Sequence, residues 1–187
     1  MNGEQPQAGL VNVANVLTIV RILLVPVFVA CMVAGGTGWR LAALAVFCVA
    51  SLTDLIDGQL ARSRGLVTDF GKIADPIADK ALIGAALITL SALGELPPWV
   101  TGLILFREIG ITVMRFIVIR YGVIAASQGG KLKTVLQIAA ICLYVLPASL
   151  GVPSLAKVIV MAAALVVTLV TGADYVVRAV RLRRKPA

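Results

Sequence analysis

Six long apolar runs, separated by short stretches of glycine, proline and basic residues, fill most of positions 11–177. A helix of about 20 apolar residues is long enough to cross the hydrocarbon of a bilayer. Hydrophobic residues make up 60% of the chain and charged residues only 14%, which excludes an ordinary soluble domain. The chain therefore reads as an all-α integral membrane protein of six transmembrane helices. Its net charge of +8 does not point to nucleic acid, because aromatic residues are only 5% and no soluble basic domain is available. The basic residues instead gather at the ends of apolar runs, where they set topology and attract anionic lipid. Cys31, Cys48 and Cys142 lie inside apolar runs without metal-ligand spacing and read as small buried hydrophobes.

Residues 1–10 are polar and are expected to form a poorly ordered N-terminus; they do not resemble a cleaved signal peptide. Asn12, Asn15, Thr18 and Arg21 interrupt the next stretch and predict an interfacial helical segment leading into a first span over about 17–35. Further spans are expected near 39–57, 75–93, 99–121, 131–150 and 155–176, within a transmembrane domain of 11–177. A connection over 63–72 precedes Asp75-Pro76, with Pro76 expected in a first helical turn. A basic cytoplasmic tail, 178–187, follows. In alternate connections and the tail, eleven Lys and Arg residues face only Arg40 and Lys157 on the other side. The positive-inside rule puts the more basic side, with both termini, in the cytoplasm.

The stretch from Asp54 to Asp79 carries the chemistry. Asp54 and Asp57 are spaced i,i+3, and Asp75 and Asp79 i,i+4, so each pair falls on one helix face. These four residues are nearly half of the nine acids in the chain. Carboxylates gathered so closely require cations, and a chain with no histidine offers hard oxygen ligands suited to Mg²⁺, Mn²⁺ or Ca²⁺ better than zinc, with Mg²⁺ or Mn²⁺ expected. Two such ions can grip a pyrophosphate. Gly58 and Ala61 present almost no side chain to an approaching ligand, and Arg62 offers a planar donor fork for phosphate. Taken singly, Gly58 and Ala61 also suit a helix–helix contact, Arg62 a topogenic charge, and Asp75 an N-cap.

The spaced set Asp54-x2-Asp57-Gly58-x2-Ala61-Arg62-x8-Gly71-x3-Asp75-x3-Asp79 resembles, without a gap, the signature of the CDP-alcohol phosphotransferases. That resemblance implies the family fold, a homodimer, and metal binding by Asp54, Asp57, Asp75 and Asp79. It further implies that Asp79 is the catalytic base toward the acceptor hydroxyl. By the same likeness Thr18, Asp57, Gly58, Ala61, Arg62, Thr68 and Gly71 contact the CDP-alcohol. The implied reaction is attack of an alcohol on the β-phosphorus of a membrane-embedded CDP-alcohol, releasing CMP.

Outside the motif, Asn15-x2-Thr18-x2-Arg21-x4-Pro26, Arg107-Glu108 and Gly130-Lys131-Leu132-Lys133-Thr134-x2-Gln137 are similar to the family's bacterial branch that uses sn-glycerol 3-phosphate. This implies CDP-diacylglycerol as donor and phosphatidylglycerophosphate as product, in a bacterial cytoplasmic membrane. Arg107, Arg115, Lys131 and Lys133 are the candidates for the acceptor phosphate. They also admit a plainer reading, in which the lysines set topology and Arg107 pairs with Glu108. Inositol phosphate as acceptor and a cardiolipin-forming member of the family are the alternatives. A divalent-metal transporter is the reading from another class, but the acids lie at helix ends and no repeat is visible.

Overall fold

The computed structural model describes residues 13–64, 69–118 and 128–183, and for 13–15, 54–64, 69–76, 79, 128 and 183 the backbone alone. The N-terminal ten residues, Thr68 and the end of the basic tail lie outside the described residues. The rest is helical: α1 (Val13–Ala34), α2 (Gly36–Arg64), α3 (Asp69–Ala92), α4 (Pro98–Val118), α5 (Gln128–Val145) and α6 (Ser154–Arg183), with a single 3-10 turn at Ala148–Leu150. The chain divides between Ala86 and Leu87, within α3, into two compact units.

In the first unit, α1 and α2 pack along their length and are joined by Gly35 alone. Gly35 and Gly36 have φ of 69° and 79°, a left-handed bend that residues with a Cβ resist. The pair is therefore an antiparallel hairpin. Thr18, Arg21, Phe28 and Met32 recur at helical spacing on the buried face of α1, opposite Ala43, Phe47 and Ala50 of α2. Phe28 and Phe47 meet with ring centroids 5.7 Å apart. Among the described residues α1 is one continuous helix from Val13, with Pro26 inside it.

Two boundaries differ from the sequence expectation, and both have the same cause. The connection expected over 63–72 is shorter, because Ser63 and Arg64 end α2 and Asp69–Lys72 already belong to α3. Gly71 is thus a residue of the first turn of α3, and Pro76 is the eighth residue of that helix instead of its start. Backbone kept inside a helix has its N–H and C=O groups bonded, and an interior proline removes only one of those bonds.

In the second unit, Gly94 (φ 74°) ends α3, and the Glu95 N–H donates to the Leu90 carbonyl at 3.0 Å. Pro98 then opens α4 where its missing N–H is harmless. Across this turn the hydroxyls of Ser91 and Thr101 share a hydrogen bond of 2.7 Å, and Thr101 also reaches the Leu87 carbonyl. Helix α6 packs against both α4 and α5. It continues past Val176 through Arg178 and Arg181 to Arg183.

By length and composition, three segments among the described residues can cross a membrane: Val16–Ala34, Gly36–Thr53 and Ser154–Leu182. Helix α4 carries Arg107, Glu108 and Arg115, and α5 opens on a polar, basic turn, so neither is a continuous apolar span. The chain is an all-helical, multi-pass membrane protein. Trp39 and Trp99 are exposed near the starts of α2 and α4, as membrane-interface anchors are.

The Phe28–Phe47 contact yields a stability prediction. Phe47→Ala should cost on the order of 3 kcal/mol by opening a cavity between α1 and α2. Val49→Ala, at a side that is 53% exposed, should cost less than about 0.5 kcal/mol. Thermal unfolding midpoints of the purified variants in detergent check the contrast.

Candidate active site

The two aspartate pairs fall on regular helix. Asp54 and Asp57 are in the later part of α2, and Asp75 and Asp79 in the first half of α3. Their side chains lie outside those described, as do those of Gly58, Ala61, Arg62 and Gly71, while Thr68 is outside the described residues altogether. Helical backbone through both pairs keeps each at the i,i+3 or i,i+4 spacing that stacks carboxylates on one face. An all-oxygen donor set in a chain without histidine fits a hard divalent cation. Among the described side chains, no group of three or more acids or other metal-ligating residues comes together elsewhere. Thr18 and Arg21 are fully buried on α1. Because the hairpin is antiparallel, they lie toward the same end of it as Asp54 and Asp57.

The second unit holds a polar cluster built on one acid. Glu108 is the sole acid in the 78 residues between Glu95 and Asp174. Its Oε1 accepts from Arg107 Nη1 at 2.9 Å and from Lys133 Nζ at 2.7 Å, with all three side chains 12–14% exposed. Arg107 Nη2 donates to Thr171 Oγ1 at 3.0 Å. The Thr171 hydroxyl donates in turn to the Val167 carbonyl at 2.7 Å, which leaves its lone pairs for the guanidinium. One turn earlier on α6, Thr168 Oγ1 accepts from Gln137 Nε2 at 3.1 Å, a fully buried bond to α5. Residues 168 and 171 share a face of α6, as 133 and 137 share a face of α5. The cluster therefore joins α4, α5 and α6 at two levels.

Of the four basic residues named as phosphate candidates, the structure brings two together. Arg107 and Lys133 meet on Glu108, whereas Arg115 and Lys131 are exposed. Lys131 cannot share a face with Lys133, since two residues on a helix turn the side chain by roughly 200°. Two cations thus converge on one carboxylate oxygen. The pairing of Arg107 with Glu108, the plainer of its two readings, is present.

Sequence reasoning passed over Glu108 as a hub, and it passed over Thr168, Thr171 and Gly172 on α6. A signal for the first was available: a lone acid inside a long apolar stretch has to be paired. Nothing in local spacing signals the second.

With this geometry in place, the comparisons with known proteins give the chain its class. The family model described as CDP-alcohol phosphatidyltransferase matches residues 11–170. A probable phosphatidylglycerophosphate synthase of Mycobacterium tuberculosis is 55% identical over 178 residues, covering 94% of this chain and 85% of that protein. The CDP-diacylglycerol--glycerol-3-phosphate 3-phosphatidyltransferase of Bacillus subtilis is 40% identical, covering 70% of this chain and 74% of the relative. The enzyme of that name from Escherichia coli is 36% identical, with 70% and 74% covered. The chain belongs to the CDP-alcohol phosphatidyltransferase family. It is an enzyme, a membrane phosphotransferase.

The two-cation arrangement makes a prediction about stability. Glu108→Ala leaves Arg107 and Lys133 facing each other without their shared acceptor, and should cost on the order of 3 kcal/mol. Asp174→Ala removes only the exposed Arg178–Asp174 pair, 2.9 Å apart and about half exposed on both sides, and should cost under about 1 kcal/mol. Denaturation of the detergent-solubilised variants distinguishes the two.

Proposed function

We propose that this enzyme transfers the phosphatidyl group of CDP-diacylglycerol to sn-glycerol 3-phosphate, giving phosphatidylglycerophosphate and CMP. The observation that carries the choice of acceptor is the likeness, over 70–94% of this chain, to relatives that bear this activity in their names. The convergence of the two cations Arg107 and Lys133 supports it, because this acceptor brings a dianionic phosphate.

In this reading Asp54, Asp57, Asp75 and Asp79 hold two divalent cations, Mg²⁺ or Mn²⁺, which when bound neutralise charge on the donor pyrophosphate. Asp79 accepts the proton of the acceptor hydroxyl as its oxygen attacks the β-phosphorus. The bond from that phosphorus to the CMP oxygen breaks, and CMP leaves with the electron pair. Thr18, Asp57, Gly58, Ala61, Arg62, Thr68 and Gly71 contact the CDP-alcohol. Arg107 and Lys133 hold the acceptor's phosphate, with Arg115 and Lys131 as outer cations. Catalysis of this kind rests on positioning and charge neutralisation.

All six helices are proposed to span the membrane, within a domain of 11–177 flanked by segments 1–10 and 178–187. Helices α4 and α5, of 21 and 18 residues, are about 32 and 27 Å long at 1.5 Å per residue, near the thickness of the hydrocarbon core. Their charged and amide groups at 107, 108, 133 and 137 bond within the unit, so an apolar surface is left for lipid. The distribution of Lys and Arg supports an active site facing the cytoplasm of a bacterial inner membrane, and the family likeness supports a homodimer.

The test supplies purified protein with CDP-diacylglycerol, Mg²⁺ and one labelled acceptor at a time. Label from glycerol 3-phosphate should enter the lipid fraction with release of CMP; label from inositol phosphate entering instead would overturn the acceptor. Chelation of divalent cations should stop turnover, and added Mg²⁺ or Mn²⁺ should restore it. Asp57→Asn and Asp75→Asn should each abolish turnover in protein that stays folded, while Asp79→Asn should lose chemistry and still bind CDP-diacylglycerol. Wild-type rates in these variants would sink the assigned roles.

A further inference from the structure

Helix α6 enters the cluster in two consecutive residues. Thr171 receives the end of the Arg107 side chain, and Gly172 receives its middle. A Cβ built on Gly172 would lie 2.9 Å from Arg107 Nε, 3.0 Å from Cγ and 3.6 Å from Cδ. Those atoms are the stem of the side chain and cannot swing aside like a free tip. Beyond them, Nη1 is tied to Glu108 and Nη2 to Thr171. Nε is buried without a hydrogen-bond partner, lying across the bare α-carbon of Gly172. Displacing the stem therefore displaces the guanidinium and loosens both of its bonds.

Gly172 stands inside the 30-residue α6, where glycine weakens a helix relative to alanine. Its φ is not among the positive values, so its backbone does not require glycine. A Cβ on Gly35, Gly36, Gly38, Gly94, Gly102, Gly110, Gly130 or Gly151 would come no closer than 4.0 Å to a neighbouring atom. The close approach of Arg107 is what the missing side chain permits.

We infer that Gly172 is a positioning residue for the acceptor: its bare α-carbon seats the Arg107 stem so that the guanidinium, held by Glu108 and Thr171, is pre-set for the acceptor's phosphate. This rests on the reading of Arg107 as a phosphate contact. Preorganisation of this kind lowers the cost of ordering a long side chain when the ligand arrives.

The test measures KM for glycerol 3-phosphate and for CDP-diacylglycerol separately, with thermal stability, in Gly172→Ala, Arg107→Lys, Arg107→Ala and Gly172→Ala/Arg107→Ala. Gly172→Ala should raise KM for glycerol 3-phosphate about tenfold, as for weakening one charge-assisted hydrogen bond. KM for CDP-diacylglycerol should stay within about twofold, since uniform damage is not the mechanism. Arg107→Lys should raise the same KM at least as much. An unchanged acceptor KM in Gly172→Ala beside a raised one in Arg107→Lys overturns the role of Gly172 and leaves the proposed function standing. An unchanged acceptor KM in Arg107→Lys overturns the phosphate assignment itself. Equal rises for both substrates in Gly172→Ala reduce Gly172 to general packing and also overturn the inference. If Gly172→Ala proves unstable, the double variant, which lacks the colliding stem, should be as stable as Arg107→Ala alone; a double variant less stable than Arg107→Ala overturns the contact.

Discussion

A charge placed among apolar helices has to be answered where it is buried, and in the second unit one carboxylate oxygen does this for two cations. Desolvating a carboxylate, a guanidinium and an ammonium is costly, and the attraction between them offsets that cost only with close geometry. Bonds of 2.7 and 2.9 Å to Glu108 Oε1 supply it. Because Arg107 and Glu108 are on α4 and Lys133 on α5, the pairing also brings those helices together. The arrangement brings two cations to one point among the helices of this unit.

Helix α6 carries the cluster without adding charge to it. Threonine suits that task in apolar surroundings, because its hydroxyl can donate to a carbonyl one turn earlier in the same helix. Thr171 does so to Val167 and still accepts from Arg107; Thr168 meanwhile accepts from Gln137. The rest of α6 remains apolar enough to cross a bilayer. One helix is thus apolar enough to be a span and also backs a polar cluster.

The aspartate motif was legible because its information is local. Helical periodicity assigns the two spacings to one helix face each, and α2 and α3 are helical through all four positions. The end of the first pair's helix and the start of the second's were misplaced, since Pro76 reads as a beginning by local rules. Continuing the helix bonds more backbone groups than an interior proline leaves unbonded, and α3 starts at Asp69. Arg107, Arg115, Lys131 and Lys133 looked alike as charges in sequence. Only two of them converge, because helical rotation sends Lys131 and Lys133 to different faces and Arg115 lies two turns beyond Glu108.

By itself, the sequence determined the apolar helical class, the candidate metal-binding acids and the family resemblance, all of which depend on composition and on spacing within a few turns of one helix. Tertiary structure decided that Glu108 serves two cations, that Thr171 holds one of them and that Gly172 lies under the Arg107 stem. The contacts between helices join residues 25 to 65 positions apart. Their geometry depends on how α4 and α5 pack against α6, and no local spacing encodes that.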